Sequence, residues 1–365
     1  MVTLYGSELS LYSGKARSYL RKQGIDFEEV KSTIGVYKKI IIPNTGVRFV
    51  PVVKTDDGDF LQDTTVIIDA LEQVSDAPSV YPSSDKQKMA ALMLEVYGDE
   101  WLLIPAIHYR WNFPEQNSKF IYAEFGSVVV PNGPKFLQRF LGKKLGARFR
   151  GFVPGLGITQ ASIPEIEKSY EALLSDLNRH FEQHSFLLGE RPCIADFGFI
   201  GPLYAHLYRD PAPGQLMRRI APEVANWVER MISEERFTGE LLADDEIPDT
   251  LIPILERMVK EQLPVLQDTQ THLDHWRAQN PQETEVPRFF DDHQITIGEA
   301  TVARKVLPHS LWMWQRVVDF YQSVNNTEAL DLFLKNIGIE QTLSNANTRL
   351  SRVNNVITVD ESVCE

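Results

Sequence analysis

The sequence predicts an α/β domain over residues 1–80, an all-α domain over residues 84–240 and a mainly helical extension over residues 245–365. Three observations carry this reading. Strand-like runs crowd into the first eighty residues and fade from Ser84 onward. Long helical patterns follow, and then Asp244-Asp245-Glu246-Ile247-Pro248-Asp249 forms an acidic, proline-containing break. A chain of 365 residues also exceeds what one ordinary core organises, so more than one domain is the natural expectation.

In order, Val2 to Tyr5 is a short β run, and Gly14 to Gln23 is helical with Ala16, Tyr19 and Leu20 on one face and Gly24 as its stop. Phe27 to Lys31 is the next strand. One helix between two strands makes a βαβ unit, whose strands run parallel. Val50 to Lys54 and Asp59 to Leu61, joined through Asp57-Gly58, form a hairpin, and Asp63-Thr64 opens a helix. Proline cannot sit inside a central ladder, so Pro51 among valines marks the start of a strand and a candidate cis peptide.

Beyond Ser84 the pattern predicts one long helix from Asp85 to Tyr109, kinked at Pro105. Residues 126–160 mix Gly and Pro with Lys135, Arg139, Lys143, Lys144, Arg148 and Arg150, which predicts helix interrupted by loops. Further helices are predicted over Ile163 to Gln183, Ile194 to Leu207 and Pro222 to Ser233. After the acidic break come a helix from Leu251 to Arg277, a polar link, an alternating segment from His293 to Ile297, and an apolar helix from Leu311 to Val324. A polar tail from Ser344 carries one β-like patch, Val356-Ile357-Thr358-Val359.

Composition narrows the function classes. A hydrophobic content of 43% with 24% charged residues is that of a folded chain. The net charge of −13 argues against nonspecific binding to nucleic acid or to an anionic membrane, because the mean field repels both. Only Cys193 and Cys364 are present, which supports neither a disulfide framework nor a cysteine metal cluster and fits a reducing, cytoplasmic setting. No metal is expected: His180 and His184 stand at i, i+4, but Glu182 is one residue out of register for the H-E-x-x-H pattern, and the pair reads as a solvated helix end. No P-loop, G-x-G-x-x-G or G-x-S-x-G occurs.

Val2-Thr3-Leu4-Tyr5-Gly6, the segment Ser10-Leu11-Tyr12-Ser13-Gly14-Lys15-Ala16-Arg17, and Phe49-Val50-Pro51-Val52-Val53 followed by Gln62-Asp63-Thr64 together resemble the thioredoxin-like N-terminal domain of the cytosolic glutathione transferase superfamily. Gly189-Glu190-Arg191-Pro192-Cys193-Ile194-Ala195-Asp196 resembles the capping box of that family's helical domain, with Cys193 where the family has Ser or Thr and Asp196 as the structural acid. The resemblance covers about residues 1–235 and leaves the extension unexplained.

The resemblance implies glutathione as co-substrate, an electrophile as the small-molecule partner, and a homodimer. It places the activating hydroxyl at Ser10, where a helix N-terminus stabilises a thiolate whose intrinsic pKa is about 8.5. Tyr5, Tyr12 and Ser13 are the competing residues, and the window from Ser10 to Ser13 is a hydroxyl version of C-x-x-C. Serines in such a loop also simply cap helices. Asp63 and Thr64 match the acid and hydroxyl that grip the γ-glutamyl end, and Val50, before Pro51, offers its backbone to the cysteinyl part. Lys38, Lys39 and Arg48 are candidates for the glycyl carboxylate. Trp101 and His108 lie on the helix that walls the electrophile pocket, although an aromatic stripe at this spacing also fits plain core.

The extension concentrates Arg288, His293, Arg304, His309 and Arg316 among aromatics in an acidic protein. It reads either as an extra helical layer or as a lid that supplies cations. Its apolar area, with Trp312, Trp314 and Tyr321, predicts that it docks. The alternative to an enzyme is a binding or scaffolding protein that keeps the fold without the chemistry.

Overall fold

The computed structural model describes residues 1–344 and 346–360. Cys364 and the end of the polar tail lie outside the described residues.

The first domain has the predicted order of strands and helices. Its first helix starts at Leu11, ahead of the predicted Gly14, and the hairpin strands start later than predicted, at Val52 and Phe60. Strand β1 (Val2–Gly6) leads through Ser10, which caps helix α1 (Leu11–Gln23), and Gly24 ends that helix in the left-handed region at φ 67°. Strand β2 (Phe27–Lys31) pairs parallel to β1. Short helical turns α2 (Ile34–Val36) and α3 (Ile42–Thr45) flank a π turn and lead to strands β3 (Val52–Lys54) and β4 (Phe60–Gln62). The sheet order is β2-β1-β3-β4, with β3 antiparallel to both neighbours. Pro51 stands just ahead of β3, and the Val50–Pro51 peptide is cis. Helix α4 (Thr64–Glu72) follows directly, capped by Asp63.

The long helix predicted from Asp85 breaks earlier than expected. Helix α5 (Asp85–Val96) passes through a π turn at Tyr97–Trp101 before α6 (Leu103–Asn112). Pro105 falls in the first turn of α6, where a missing N–H costs nothing, so it makes no kink. Gly98 in the π turn packs directly on the next core helix: a Cβ there would stand 2.5 Å from the Gly198 carbonyl carbon. Helices α7 (Pro114–Val129) and α8 (Lys135–Arg150) form a hairpin across the basic region.

Helix α9 (Ile163–Phe181) and helix α10 (Ile194–Ala205) complete the core with α11 (Pro211–Ile220) and α12 (Pro222–Ile232). Asp196 has the structural role its position predicts. Its carboxylate accepts from the backbone of Cys193 at 2.9 Å and Leu187 at 3.1 Å and from Trp227 Nε1 at 3.0 Å. Burial pushes its pKa up to about 6, with these donors pulling the other way. His180 is no solvated helix end. It is buried, bonded to Thr250 Oγ1 at 2.7 Å and Phe186 O at 3.2 Å, because the extension covers this end of α9.

The extension docks and is less uniformly helical than its composition predicts. The single helix predicted from Leu251 divides at Gln262, ahead of Pro264, into α13 (Ile252–Glu261) and α14 (Leu263–Gln279). The alternating segment at His293 is strand β5 (Asp292–Ile297), which pairs with β6 (Ala300–Lys305). Helices α15 (His309–Ser323) and α16 (Glu328–Asn336) follow, and the β-like patch is β8 (Val356–Val359), paired with β7 (Leu350–Val353). The acidic break has its own use, since the Asp245 carboxylate accepts from the N–H groups of Lys86 and Gln87 at 2.9 Å each and so caps α5.

Three parts of the chain share one buried charge network. Lys15 on α1 reaches Glu95 Oε1 at 2.7 Å and Asp99 Oδ2 at 2.5 Å. Glu95 Oε2 then pairs with Arg316 Nη1 of the extension at 2.7 Å, and Arg316 Nη2 returns to Asp69 of α4 at 3.0 Å. Burial opposes the charge on Lys15, but the two carboxylates outweigh it and raise its pKa.

Candidate functional site

The N-terminus of α1, the turn before β3 and the N-terminus of α4 meet at one end of the small sheet. Ser10 is half-buried there. Its Oγ accepts from the Ser13 N–H at 3.1 Å, which leaves its own hydroxyl hydrogen free to donate. Ser13 is buried and engaged, with its Oγ accepting from the Ser7 N–H at 3.2 Å.

Tyr5 faces a small apolar cluster with Ile41 and Val52 and stacks on Phe60 at 6.2 Å between centroids. The Tyr12 hydroxyl donates to the Asp99 carbonyl at 3.2 Å. Burial, followed by Glu100, Asp99 and Asp63, holds this phenol well above its ordinary pKa and so protonated. Val50 stands outside the ladder, which starts at the Tyr5–Val52 pair, and Thr64 is buried in the first turn of α4. Lys38, Lys39 and Arg48 are exposed.

Asp63 has φ 83° and uses Oδ1 to accept the Thr65 N–H at 3.0 Å. Its Oδ2 faces His309 Nε2 at 3.3 Å, while His309 Nδ1 faces Glu100 Oε1 at 3.0 Å. Burial opposes the charge of both groups. The carboxylates of Glu100 and Asp63 nevertheless raise the imidazole to about 10, and the bond to His309 holds Asp63 well below the usual carboxylate range. An imidazolium of the extension therefore bridges two acids of the cleft.

Other extension residues line the same place. Arg352 donates to the Gln62 carbonyl at 2.6 Å and to the Gln62 side chain, one residue before Asp63. The Arg288 guanidinium lies 4.5 Å from the Phe49 ring, next to Val50–Pro51. Arg304 is buried and sits 5.5 Å from the Trp101 ring. The excess of cations in the extension was the available sequence signal for these residues. Their acidic partners were not readable from it, and Arg352 carries no local signal at all.

Trp101 and His108 do not converge on one opening. Trp101 lines a cavity of about 20 Å³ with Tyr97, Tyr170, Glu261 and Ile297, room for about one water. Its Nε1 donates to Glu261 at 2.9 Å. His108 is buried, with Nδ1 facing Asn112 at 2.8 Å and Nε2 facing Glu167 at 3.0 Å. Burial lowers its pKa against the pull of Glu167, so the ring is a neutral packed element.

For a metal, Asp268, His272 and His293 bring ligand atoms within 4.8 Å of one another. The bond between His293 Nδ1 and Asp268 Oδ2 at 2.6 Å fastens the β5–β6 hairpin to α14.

A family model for the glutathione S-transferase N-terminal domain matches residues 4–79, and one for the glutathione S-transferase C-terminal domain matches residues 158–235. The first two domains of this chain belong to the glutathione S-transferase superfamily. Both matches stop before the extension, so the residues that bridge Asp63 and Glu100 come from outside the matched domains. Compared with curated proteins, the chain matches none.

Among solved structures, the chain is similar to a glutathione S-transferase from Rhodospirillum rubrum F11, at 16% identity over 68% of this chain and 97% of that one, with a TM-score of 0.41. It is similar to a beta-etherase from Sphingobium sp. at 17% identity over 63% and 94% of the two chains, with a TM-score of 0.44. It is also similar to a glutathione S-transferase from Methylobacillus flagellatus with glutathione bound, at 16% identity over 64% and 95%, with a TM-score of 0.38. Among the described residues, no helix is long and apolar enough to cross a membrane.

Proposed function

We propose that this glutathione S-transferase-like protein binds glutathione between Ser10, Val50 and Asp63-Thr64 and adds its sulfur to an electrophile. The observation that carries the reading is the state of Ser10. Its oxygen already caps α1 while its hydroxyl hydrogen is free, so capping and thiolate stabilisation do not compete. The α1 N-terminus adds its partial positive charge to the same spot. Asp63 meets the γ-glutamyl ammonium, and the backbone at Val50 meets the cysteinyl unit as an added strand edge. In the family's manner the protein works as a cytoplasmic homodimer, which light scattering tests.

A second reading is favoured by one specific contact. His309 already occupies Asp63, so the ligand's ammonium has to displace an internal cation. If that displacement fails, the protein is a closed, non-catalytic member of the fold. Titration calorimetry of glutathione into the full chain, with turnover on a model electrophile, separates the two. Heat and turnover support the transferase. Heat in His309→Gln with none in wild type supports the closed form, and binding without turnover supports a binding protein. No heat at millimolar ligand, in wild type and in His309→Gln alike, overturns both.

A further inference from the structure

We infer that the outer face of helix α8 is a docking surface for an anionic lipid bilayer. The chain-wide charge of −13 predicts repulsion from such a surface, but the charge is unevenly spread. The sixteen residues of α8 hold Lys135, Arg139, Lys143, Lys144, Arg148 and Arg150 with no Asp or Glu among them. All six are exposed. Charges beyond a Debye length of about 10 Å are screened, so a surface touching α8 meets this patch and not the chain average.

The helix also carries apolar side chains where water should be. Phe136 is 74% exposed and Phe140 60%, four residues apart on one face, with Phe152 beyond the helix end at 57%. The opposite face explains why they stay outside. The buried residues of α8 are Gln138, Gly142 and Gly146, at four-residue spacing, and they press on α7. A Cβ on Gly142 would stand 1.8 Å from the Tyr122 carbonyl oxygen. The two backbones are in direct contact, so α8 cannot rotate to bury Phe136 and Phe140 without separating from α7. Gln138 Nε2 also ties the hairpin loop, donating to Val130 O at 3.1 Å and Pro131 O at 3.0 Å.

Phenylalanines flanked by lysines and arginines on one exposed helix face match the interface between lipid headgroups and acyl chains. There the rings insert and the cations stay with the phosphates. The Lys144 ammonium lies over the Phe140 ring, 5.0 Å from its centroid, so a cation and an exposed ring already share this face. A second copy fits less well, because a self-complementary pairing of α8 on α8 sets cations against cations.

The test is sedimentation of the full-length protein with phosphatidylcholine vesicles, with and without phosphatidylserine, at low and at physiological salt. Binding is expected only to the phosphatidylserine vesicles and is expected to weaken with salt. It should fall about tenfold or more both in Phe136→Ser/Phe140→Ser and in Lys143→Glu/Lys144→Glu. All four positions are exposed, so the fold persists, which circular dichroism checks. The proposal is overturned by absence of binding to anionic vesicles at low salt, by equal binding to neutral ones, or by binding that neither double variant reduces. It is also overturned if the phenylalanine variant converts a dimer to a monomer in light scattering, since α8 is then a contact between copies.

Discussion

His309 Nε2 stands 3.3 Å from Asp63 Oδ2, so the extension grips the residue that caps helix α4. The same ring faces Glu100 at 3.0 Å, which joins the extension to both domains through one imidazolium. The extension is thereby placed over the candidate glutathione site.

Removing that cation is expected to open the site. In His309→Gln the Asp63 carboxylate loses its internal charge partner, and glutathione affinity should rise about tenfold, the effect of roughly 1.4 kcal/mol in a charge-assisted bond. Asp63→Ala should weaken binding instead. Calorimetry on both variants decides it, and equal affinity in wild type and His309→Gln would show that His309 does not compete with the ligand.

The pair also sets a pH dependence. In the unfolded chain His309 titrates near about 6.5, and in the folded protein near about 10. A raised folded pKa contributes stability that is full below about pH 6.5 and is lost as pH rises through about 10. Asp63 is depressed, so its contribution is present above the ordinary carboxylate pKa of about 3.9 and is lost in stronger acid. The His309 side chain is 39% exposed, so solvent screens the pair and the alkaline loss is modest. Thermal melts should fall between about pH 6.5 and 10 in wild type and less so in His309→Gln. Parallel profiles over that range would refute the assignment.

Ser10 combines two separable roles. Ser10→Ala is expected to cost about 1 kcal/mol of stability through the lost cap and about a hundredfold in turnover through the lost donor to sulfur. Ser10→Asp caps a helix equally well, but its carboxylate only accepts and has no hydrogen to donate. It should keep the stability and lose the turnover, and full activity in that variant would remove Ser10 from the chemistry.

The Lys15 network is expected to be strongly destabilised by removal of its centre. Lys15→Met leaves Glu95 and Asp99 facing each other without the ammonium that is 0% exposed between them. Breaking a buried pair in this way costs roughly 3 to 5 kcal/mol. Urea denaturation monitored by tryptophan fluorescence measures it, and a change below about 1 kcal/mol would mean that Arg316 compensates through Glu95.

Much of the fold was legible in the sequence because its causes are local. The βαβ unit follows from strand and helix periodicities separated by Gly24, the β3–β4 hairpin from Asp57-Gly58, and the start of α10 from the spacing of Cys193 and Asp196. Each depends on residues a few positions apart, where backbone propensity and capping act. Ser10 and Asp63 were picked out by the family resemblance, and their local chemistry agrees with it, since each caps a helix.

Only the tertiary structure decided what faces those residues. His309 and Asp63 are 246 positions apart, and Arg352 and Gln62 are 290 apart, and no periodicity links such pairs. The sequence held the cations of the extension and the acids of the cleft as two separate excesses. Their pairing depends on burial of the apolar faces of α15 and of the β hairpins, which carries the charged groups to within bonding distance as a consequence of docking. The π turn at Tyr97–Trp101 has the same origin: Gly98 pressed against Gly198 fixes the backbone there through a contact between helices, which no local preference for a kink at Pro105 could reveal.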